Sequence, residues 1–129
     1  MRAEELKGHL DAVLLAALEG GPRHGYAVIE ALRQSTDGRL DLPTGTIYPA
    51  LRRLEQAGLI AGTWSVVGGR RRREYRLTPA GIRALSGRRA AWQDFSAIVT
   101  AALESATLVT AALENAAMED TACPSPNPA

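Results

Sequence analysis

The stretch TGTIYPALRRLEQAGLI, residues 44–60, sets the architecture of this 129-residue chain. Its leucines recur at close to helical spacing, which predicts a helix with one apolar face. A glycine and a proline weaken the front of this helix, and its first turns also carry two threonines and a tyrosine. Two adjacent arginines follow, and Gly58 has the position of a C-terminal glycine cap. Burial accounts for the leucines but leaves the polar tip and the arginines unexplained.

Two further helices are predicted before this stretch. Residues 9–19 form an amphipathic segment that stops at a Gly-Gly-Pro cluster, and a second helix is expected over about 25–34. Tyr26 is expected to pack in the core or between helices, because it shares the spacing of the apolar residues in the second helix. The connector 35–43 is rich in turn residues, although the alternation at 40–42 would allow a very short strand.

A β-hairpin and a long helix are predicted after the opening stretch. The β-prone runs IAGTWSVV and EYRLT flank a Gly-Gly turn and four consecutive arginines, which indicates a hairpin in which Trp64 packs. Thr78 then has the position of a helix cap, with Pro79 at the first helical position. Three helices, a hairpin and a long helix make the order of a winged helix-turn-helix. The predicted fold class is therefore mainly α with a small β-hairpin wing.

The last helix carries an apolar heptad seam over about four heptads. Such a seam is too exposed to be stable on one chain, so we expect it to pair with a second copy in a homodimer. Trp92 is expected either to pack in this dimer or, together with Phe95, to contact a ligand. The residues predicted at the dimer interface are Leu85, Trp92, Phe95, Val99, Ala102 and Val109.

The charge is strongly segmented along the chain, although the net charge is only +1. Residues 1–43 carry five basic and seven acidic side chains, residues 44–89 carry ten and two, and residues 90–129 carry none and five. A basic middle between acidic flanks predicts a surface that faces a polyanion and is built from one segment of the chain.

Double-stranded DNA explains both the polar tip and the arginines of the opening stretch. A recognition helix enters the major groove by its N-terminal end, which must be slim and polar. Either Thr44 or Thr46 is expected to cap this helix, and Gly45 lets the backbone approach the DNA closely. Tyr48 and Arg52 lie four residues apart and share a face. Arg52 could contact a guanine edge or a phosphate, and the sequence leaves both open.

The arginine run is expected to continue the same surface through the wing, because a basic hairpin tip suits the DNA backbone or a narrow minor groove. The chain is then expected to divide into a DNA-binding domain over 1–78, a dimerisation helix over 79–118 and a disordered Pro-rich tail over 119–129. The predicted DNA-binding residues are Thr44, Gly45, Thr46, Tyr48, Pro49, Arg52, Arg53, Arg70, Arg71, Arg72 and Arg73.

The cysteine, histidine and apolar content disfavour other classes of protein. Cys123 is the single cysteine, which excludes an intrachain disulfide and a Cys-rich zinc site and fits a reducing cytoplasm. His9 and His24 come without a ligand cluster, so neither a metal nor a cofactor is expected, and His24 is expected to cap or pack. No apolar stretch approaches the ~20 residues that span a bilayer. The sequence contains no phosphate-binding loop or convincing nucleophile–base pair that would indicate an enzyme.

Three blocks of sequence, HGYAVIEAL, TGTIYPALRRLEQAGLI and GGRRRREYRLTPAG, together resemble the PadR family of bacterial transcriptional regulators, over about residues 10–95. The resemblance implies a homodimeric winged-helix repressor whose third helix and wing contact operator DNA and whose C-terminal helix makes the dimer. Some members of the family respond to small aromatic or drug-like molecules, often near the dimer interface, and Trp92 could stack on such an effector. The Ala/Thr-rich extension after Glu104 and the dense arginine run depart from the family pattern.

A winged-helix module that binds another protein, without reading DNA, is the competing hypothesis. Its signature would be a neutral wing, which this chain lacks. Salt separates the two hypotheses, because binding through many phosphates weakens steeply as the salt concentration rises.

Overall fold

The computed structural model describes residue 6 and residues 8–122, including their side chains except at 106–112 and 115–122. The predicted order of helices, hairpin and long helix is confirmed, as is a mainly helical winged-helix fold with a small antiparallel sheet. None of the described helices is long and apolar enough to cross a membrane. In chain order the elements are α1 (Leu10–Ala17), β1 (Arg23–His24), α2 (Gly25–Ser35), α3 (Thr44–Gln56), β2 (Ile60–Val67), β3 (Arg70–Leu77) and α4 (Pro79–Ala122).

The chain forms two compact units, one up to Arg89 and one from Ala90 onward. The core of the first unit is aliphatic. On α3, the leucines Leu51 and Leu54 are buried while the two arginines between them are exposed, which confirms the two-faced helix predicted from the spacing.

The connector between α2 and α3 contains no strand, so the suggestion of a very short strand at 40–42 was wrong. Leu40 and Leu42 are both buried, in irregular backbone, and belong to the core cluster of the first unit. Their alternation with a polar residue therefore reflects contact with the core rather than pairing with another strand.

The sheet has three antiparallel strands in the order β1-β3-β2. β2 and β3 form the predicted hairpin, and its turn residues Gly68 and Gly69 have φ values of 59° and 79°, as a type I′ turn requires. The two residues of β1 pair with Tyr75 and Glu74 of β3. The sequence did not predict β1, since a two-residue strand has no periodicity. Its pairing places the start of α2 beside the wing.

The start of α3 differs from the prediction. Pro43 is the N-cap residue, and its extended backbone (φ −74°, ψ 156°) starts the helix without a side-chain cap. Its carbonyl accepts a hydrogen bond from the N–H of Thr46 at 3.0 Å. The expected cap at Thr44 or Thr46 was therefore wrong, because both threonines already lie within the helix. Pro49 falls in the second turn, where its missing N–H leaves the carbonyl of Gly45 without a helical donor.

The junction between α3 and α4 is held by Thr78. Its Oγ1 accepts a hydrogen bond from the N–H of Gly81 at 3.0 Å, which confirms Thr78 as the cap of α4. The same hydroxyl donates to the carbonyl of Gly58 at 2.7 Å, so it also fixes the end of α3. At Gly81, a Cβ would stand 1.9 Å from the carbonyl oxygen of Leu59. The backbone of α4 thus lies directly against the short segment that joins α3 to β2.

The predicted heptad seam of α4 divides between the two units. Leu85 is only 4% exposed and belongs to the core of the first unit, so its predicted place at a dimer interface is corrected. A heptad pattern cannot distinguish a residue that packs on its own chain from one that packs on a partner. The side chain of Val109 lies outside the described residues. The other residues predicted at the dimer interface, Trp92, Phe95, Val99 and Ala102, are exposed.

The described part of α4 reaches Ala122, four residues beyond the predicted end at 118. Residues 119–122 contain neither glycine nor proline, so no breaker stops the helix earlier. The rest of the predicted tail, 123–129, lies outside the described residues.

Candidate nucleic-acid interface

An open groove of about 670 Å³ lies between the start of α2, the exposed face of α3 and the hairpin. α3 contributes Tyr48 and Arg52 to its lining, and β3 contributes Arg71, Arg72 and Arg73. The structure therefore brings together the two predicted basic elements, which lie about twenty residues apart in the sequence. We call this feature the basic groove.

The tip of α3 presents the predicted residues to solvent. Thr44, Gly45 and Pro49 are exposed, and Thr46 is partly covered. A Cβ at Gly45 would meet no atom within 4 Å of it, so the fold itself does not require glycine there. The absent side chain instead leaves the tip slim, which suits a close approach of another molecule.

Tyr48 is 43% exposed, and its ring lies against Gly25 at the start of α2. A Cβ at Gly25 would stand 2.5 Å from Cε1 and 2.8 Å from the hydroxyl oxygen of Tyr48. Glycine at position 25 therefore sets where the phenol stands in the basic groove. The sequence did not reveal this role, because the contact joins residues of two different helices.

The two arginines of α3 have different surroundings. Arg52 lines the basic groove. Arg53 points toward α1, where its Nη2 lies 3.1 Å from Oδ1 of Asp11. Both were predicted to bind DNA, but only Arg52 belongs to the groove. This ion pair is largely exposed, so it stabilises the fold by less than about 1 kcal/mol.

The four wing arginines occupy the first half of β3 rather than the turn, which is formed by two glycines. Because side chains alternate along a strand, Arg71 and Arg73 share one face of the hairpin while Arg70 and Arg72 share the other. Arg70, Arg71 and Arg72 are exposed, whereas Arg73 is partly covered. The strand thus offers its cations in two directions from one rigid backbone.

Arg73 is engaged within the chain. Its Nη2 forms a short ion pair with Oε2 of Glu55 on α3, and both side chains are about 30% exposed (31% and 28%). The hydrogen bond that Arg73 donates to Glu55 raises the pKa of Arg73 above its usual value. This pair joins α3 to the wing across the basic groove. Beneath it, burial raises the pKa of the Tyr75 phenol.

Trp64 of β2 is 59% exposed, and the guanidinium groups of two arginines lie over its ring. The guanidinium carbon of Arg71 lies 4.7 Å from the centre of its ring, and that of Arg73 lies 5.4 Å away. Both distances are within the range of a cation–π interaction. The sequence predicted only packing for Trp64; its partners follow from the hairpin register, which places Trp64 opposite Arg73.

The start of α2 completes the basic groove with His24 and Tyr26. His24 caps α2, since its Nδ1 accepts from the N–H of Ala27 at 3.3 Å, which confirms the capping hypothesis. Its Nε2 lies 3.1 Å from Nη1 of Arg72. A neutral imidazole has only one acceptor nitrogen, so it cannot accept in both contacts at once. Tyr26 is 60% exposed rather than packed, because it lies beside the buried face of α2 and not on it.

Residues 14–87 match the model of the transcriptional regulator PadR-like family. These residues include α2, α3, the wing and the start of α4. The chain belongs to the PadR-like family of transcriptional regulators. The PadR match contains every residue that lines the basic groove. Our sequence-based identification of the family is thereby confirmed.

Solved structures of transcriptional regulators and a curated relative agree with this assignment. A PadR family transcriptional regulator from Eggerthella lenta is 34% identical with a TM-score of 0.67, and the match covers 78% of this chain and 87% of that one. A transcriptional regulator from Clostridium thermocellum is 28% identical with a TM-score of 0.70, over 76% and 96% of the two chains. A transcriptional regulator from Mycobacterium tuberculosis is 42% identical over 74 residues, which cover 57% of this chain and 56% of the relative.

Proposed function

We propose that this transcriptional regulator is a sequence-specific DNA-binding protein, a repressor that acts as a homodimer on an inverted-repeat operator. The observation that carries the proposal is the basic groove, in which Tyr48 and Arg52 of α3 face the arginines of β3. Two basic elements on one side of the first unit can contact the major groove and the adjacent backbone of one duplex together.

The tip of α3 is the element that reads sequence in this proposal. Its exposed Thr44, Gly45 and Pro49 enter the major groove first, and Tyr48 contacts sugar, phosphate or a base edge. Arg52 contacts either a guanine edge or a phosphate. The wing arginines contact the backbone or the minor groove, which adds affinity with little sequence preference.

The second unit supplies the dimer in this proposal. Trp92, Phe95 and Val99 are large apolar side chains that stand exposed on α4, and pairing with a second copy would cover them. A two-fold dimer places two α3 tips in successive major grooves, so half-sites lie about 10 bp, or a multiple of it, apart. The rings of Trp92 and Phe95, with centroids 6.1 Å apart, would also suit a small aromatic effector.

The proposal is tested by fluorescence anisotropy with DNA from upstream of the protein's own gene. Shuffled DNA of equal composition is the control, and both are titrated at two salt concentrations. We expect tighter binding to the native DNA than to the shuffled DNA at both salt concentrations. Equal, salt-sensitive binding to both DNAs would contradict sequence reading. No binding to either would favour the protein-binding module.

Replacing Gly25 by alanine is expected to weaken DNA binding about tenfold while changing the melting temperature little. The new Cβ displaces the phenol of Tyr48, which is the mobile end of a partly exposed side chain. Anisotropy measures the affinity and calorimetry the melting temperature. A tenfold loss corresponds to about 1.4 kcal/mol, the scale of one hydrogen bond to a charged group. In a Tyr48→Ala background Gly25→Ala should have no further effect, and a full second loss would refute this explanation.

Replacing Trp92 by aspartate is expected to dissociate the homodimer. Pairing would bring two carboxylates into an apolar seam without partners, which costs several kcal/mol. Light scattering reports the mass. The control is Gln93→Asp, which adds the same charge at the neighbouring exposed position outside the seam and should leave the dimer intact. An unchanged mass for Trp92→Asp would place the interface elsewhere.

A further inference from the structure

Trp64 is not needed to build the core, because more than half of its surface is exposed. Nevertheless its ring occupies a defined place in the hairpin, directly across from Arg73. It also lies in the lining of the basic groove. A large exposed ring that touches two cations in such a place calls for a role other than packing.

One of the two cations fixes the ring. Arg73 forms an ion pair with Glu55 of α3. Its guanidinium also lies close over the backbone of Gly62, where an added Cβ would stand 2.7 Å from Nε of Arg73. The absence of a side chain at Gly62 lets the Arg73 guanidinium lie across β2 toward the ring of Trp64. Glu55, Arg73 and Trp64 thus form a contiguous series of contacts from α3 into the wing.

The second cation over the ring, Arg71, remains available to contact another molecule. Arg71 lies 4.7 Å from the centre of the Trp64 ring and has no ion pair with any described residue. Arg70, one position earlier on the same strand, points to the other face and makes no cation–π contact with an aromatic ring in the described part of the chain. The two arginines therefore carry the same charge, but only one is held by an aromatic surface.

We propose that Trp64 is a positioning residue that holds the Arg71 guanidinium ready for a DNA phosphate. The inference rests on the proposed DNA-binding function. A free arginine loses side-chain freedom when it meets a phosphate, and an arginine that is already stacked loses less of it. The face of the guanidinium rests on the ring while its edge N–H groups stay directed outward, where they can donate to phosphate oxygens.

The test is a double-mutant cycle measured by anisotropy with DNA from upstream of the protein's own gene. Trp64→Leu is combined with Arg71→Ala and, as the matched control, with Arg70→Ala. Trp64→Leu alone is expected to lower the affinity about fivefold, the size of an exposed cation–π contact. This loss should fall below about twofold once Arg71 is alanine, because no guanidinium remains to be positioned. It should stay about fivefold when Arg70 is alanine.

Two further readouts separate positioning from damage to the wing. Trp64→Leu leaves the number of cations unchanged, so the salt slope should stay constant, whereas Arg71→Ala should lower it by about 0.9. Trp64→Phe keeps an aromatic face and should recover more than half of the lost affinity on a logarithmic scale. Equal losses in the Arg70 and Arg71 backgrounds would overturn the inference. Absence of salt-dependent DNA binding in the unaltered protein would instead reject the proposed function itself.

Discussion

Changing Arg70, Arg71 and Arg72 together to alanine should lower the affinity for DNA of any sequence by about three orders of magnitude. Each exposed guanidinium is expected to donate a charge-assisted hydrogen bond to a phosphate, worth about 1.4 kcal/mol or a factor of ten. Arg73 is left in place, because removing it would strand the carboxylate of Glu55 and confuse binding with folding. Native and shuffled DNA should be affected alike, since phosphate contacts carry no sequence information.

The salt dependence of binding by the same triple variant gives an independent measure of how many phosphate contacts the wing makes. Loss of three phosphate contacts should make the slope of log affinity against log salt shallower by about 2.7. The charge-matched control changes Arg76, Arg83 and Arg88, which are exposed, form no ion pair with a described residue and do not line the basic groove. The control should keep the original slope. A triple wing variant with unchanged slope would show that the wing does not contact the phosphates.

Replacing Gly81 by alanine should destabilise the first unit by about 3 kcal/mol or more, at or beyond the upper end for overpacked sites. The added Cβ would stand 1.9 Å from the carbonyl oxygen of Leu59, and a backbone carbonyl cannot swing aside as a side chain can. Relief requires α4 to move away from the carbonyl of Leu59, which breaks the hydrogen bond from Thr78 to the carbonyl of Gly58. The melting temperature should fall by roughly 12–24 °C for a unit of this size.

Gly87 provides the control for this substitution, since it lies on the same helix and a Cβ there meets nothing within 4 Å. Gly87→Ala should raise stability by up to about 1 kcal/mol through helix propensity. Thermal unfolding followed by circular dichroism compares the two variants. Equal melting temperatures would mean that the junction of α3 and α4 is looser than the structure indicates.

The elements were predictable wherever a pattern extends over several residues. The spacing of Leu51 and Leu54 defined the buried face of α3, and Thr78 followed by Pro79 defined the start of α4. Short or irregular features were not predictable. β1 has two residues, and α3 begins at Pro43 through backbone geometry rather than a side-chain cap.

The basic groove was predictable in its parts but not in its connections. Hydroxyl groups, glycine and arginine at the tip of α3, followed by arginines in a hairpin, indicated two nucleic-acid contacts. The contacts between Glu55 and Arg73, and between Gly25 and Tyr48, join residues far apart in sequence. Such contacts depend on strand register and helix packing, which local spacing does not specify. The same limit explains why Leu85 was assigned to a partner rather than to its own core.

Arg72 and Arg73 would lose different contacts on meeting a phosphate, because Arg72 lies against His24 whereas Arg73 pairs with Glu55. His24 can keep its proton on Nε2 and cap α2 through Nδ1 after Arg72 has turned away, so recruiting Arg72 leaves no group of the fold unsatisfied. Arg73 could turn away only by abandoning a carboxylate that faces the same polyanion. In the proposed complex with DNA, Arg72 would therefore exchange freely between protein and DNA, whereas Arg73 would remain with the protein and screen Glu55 from the phosphates.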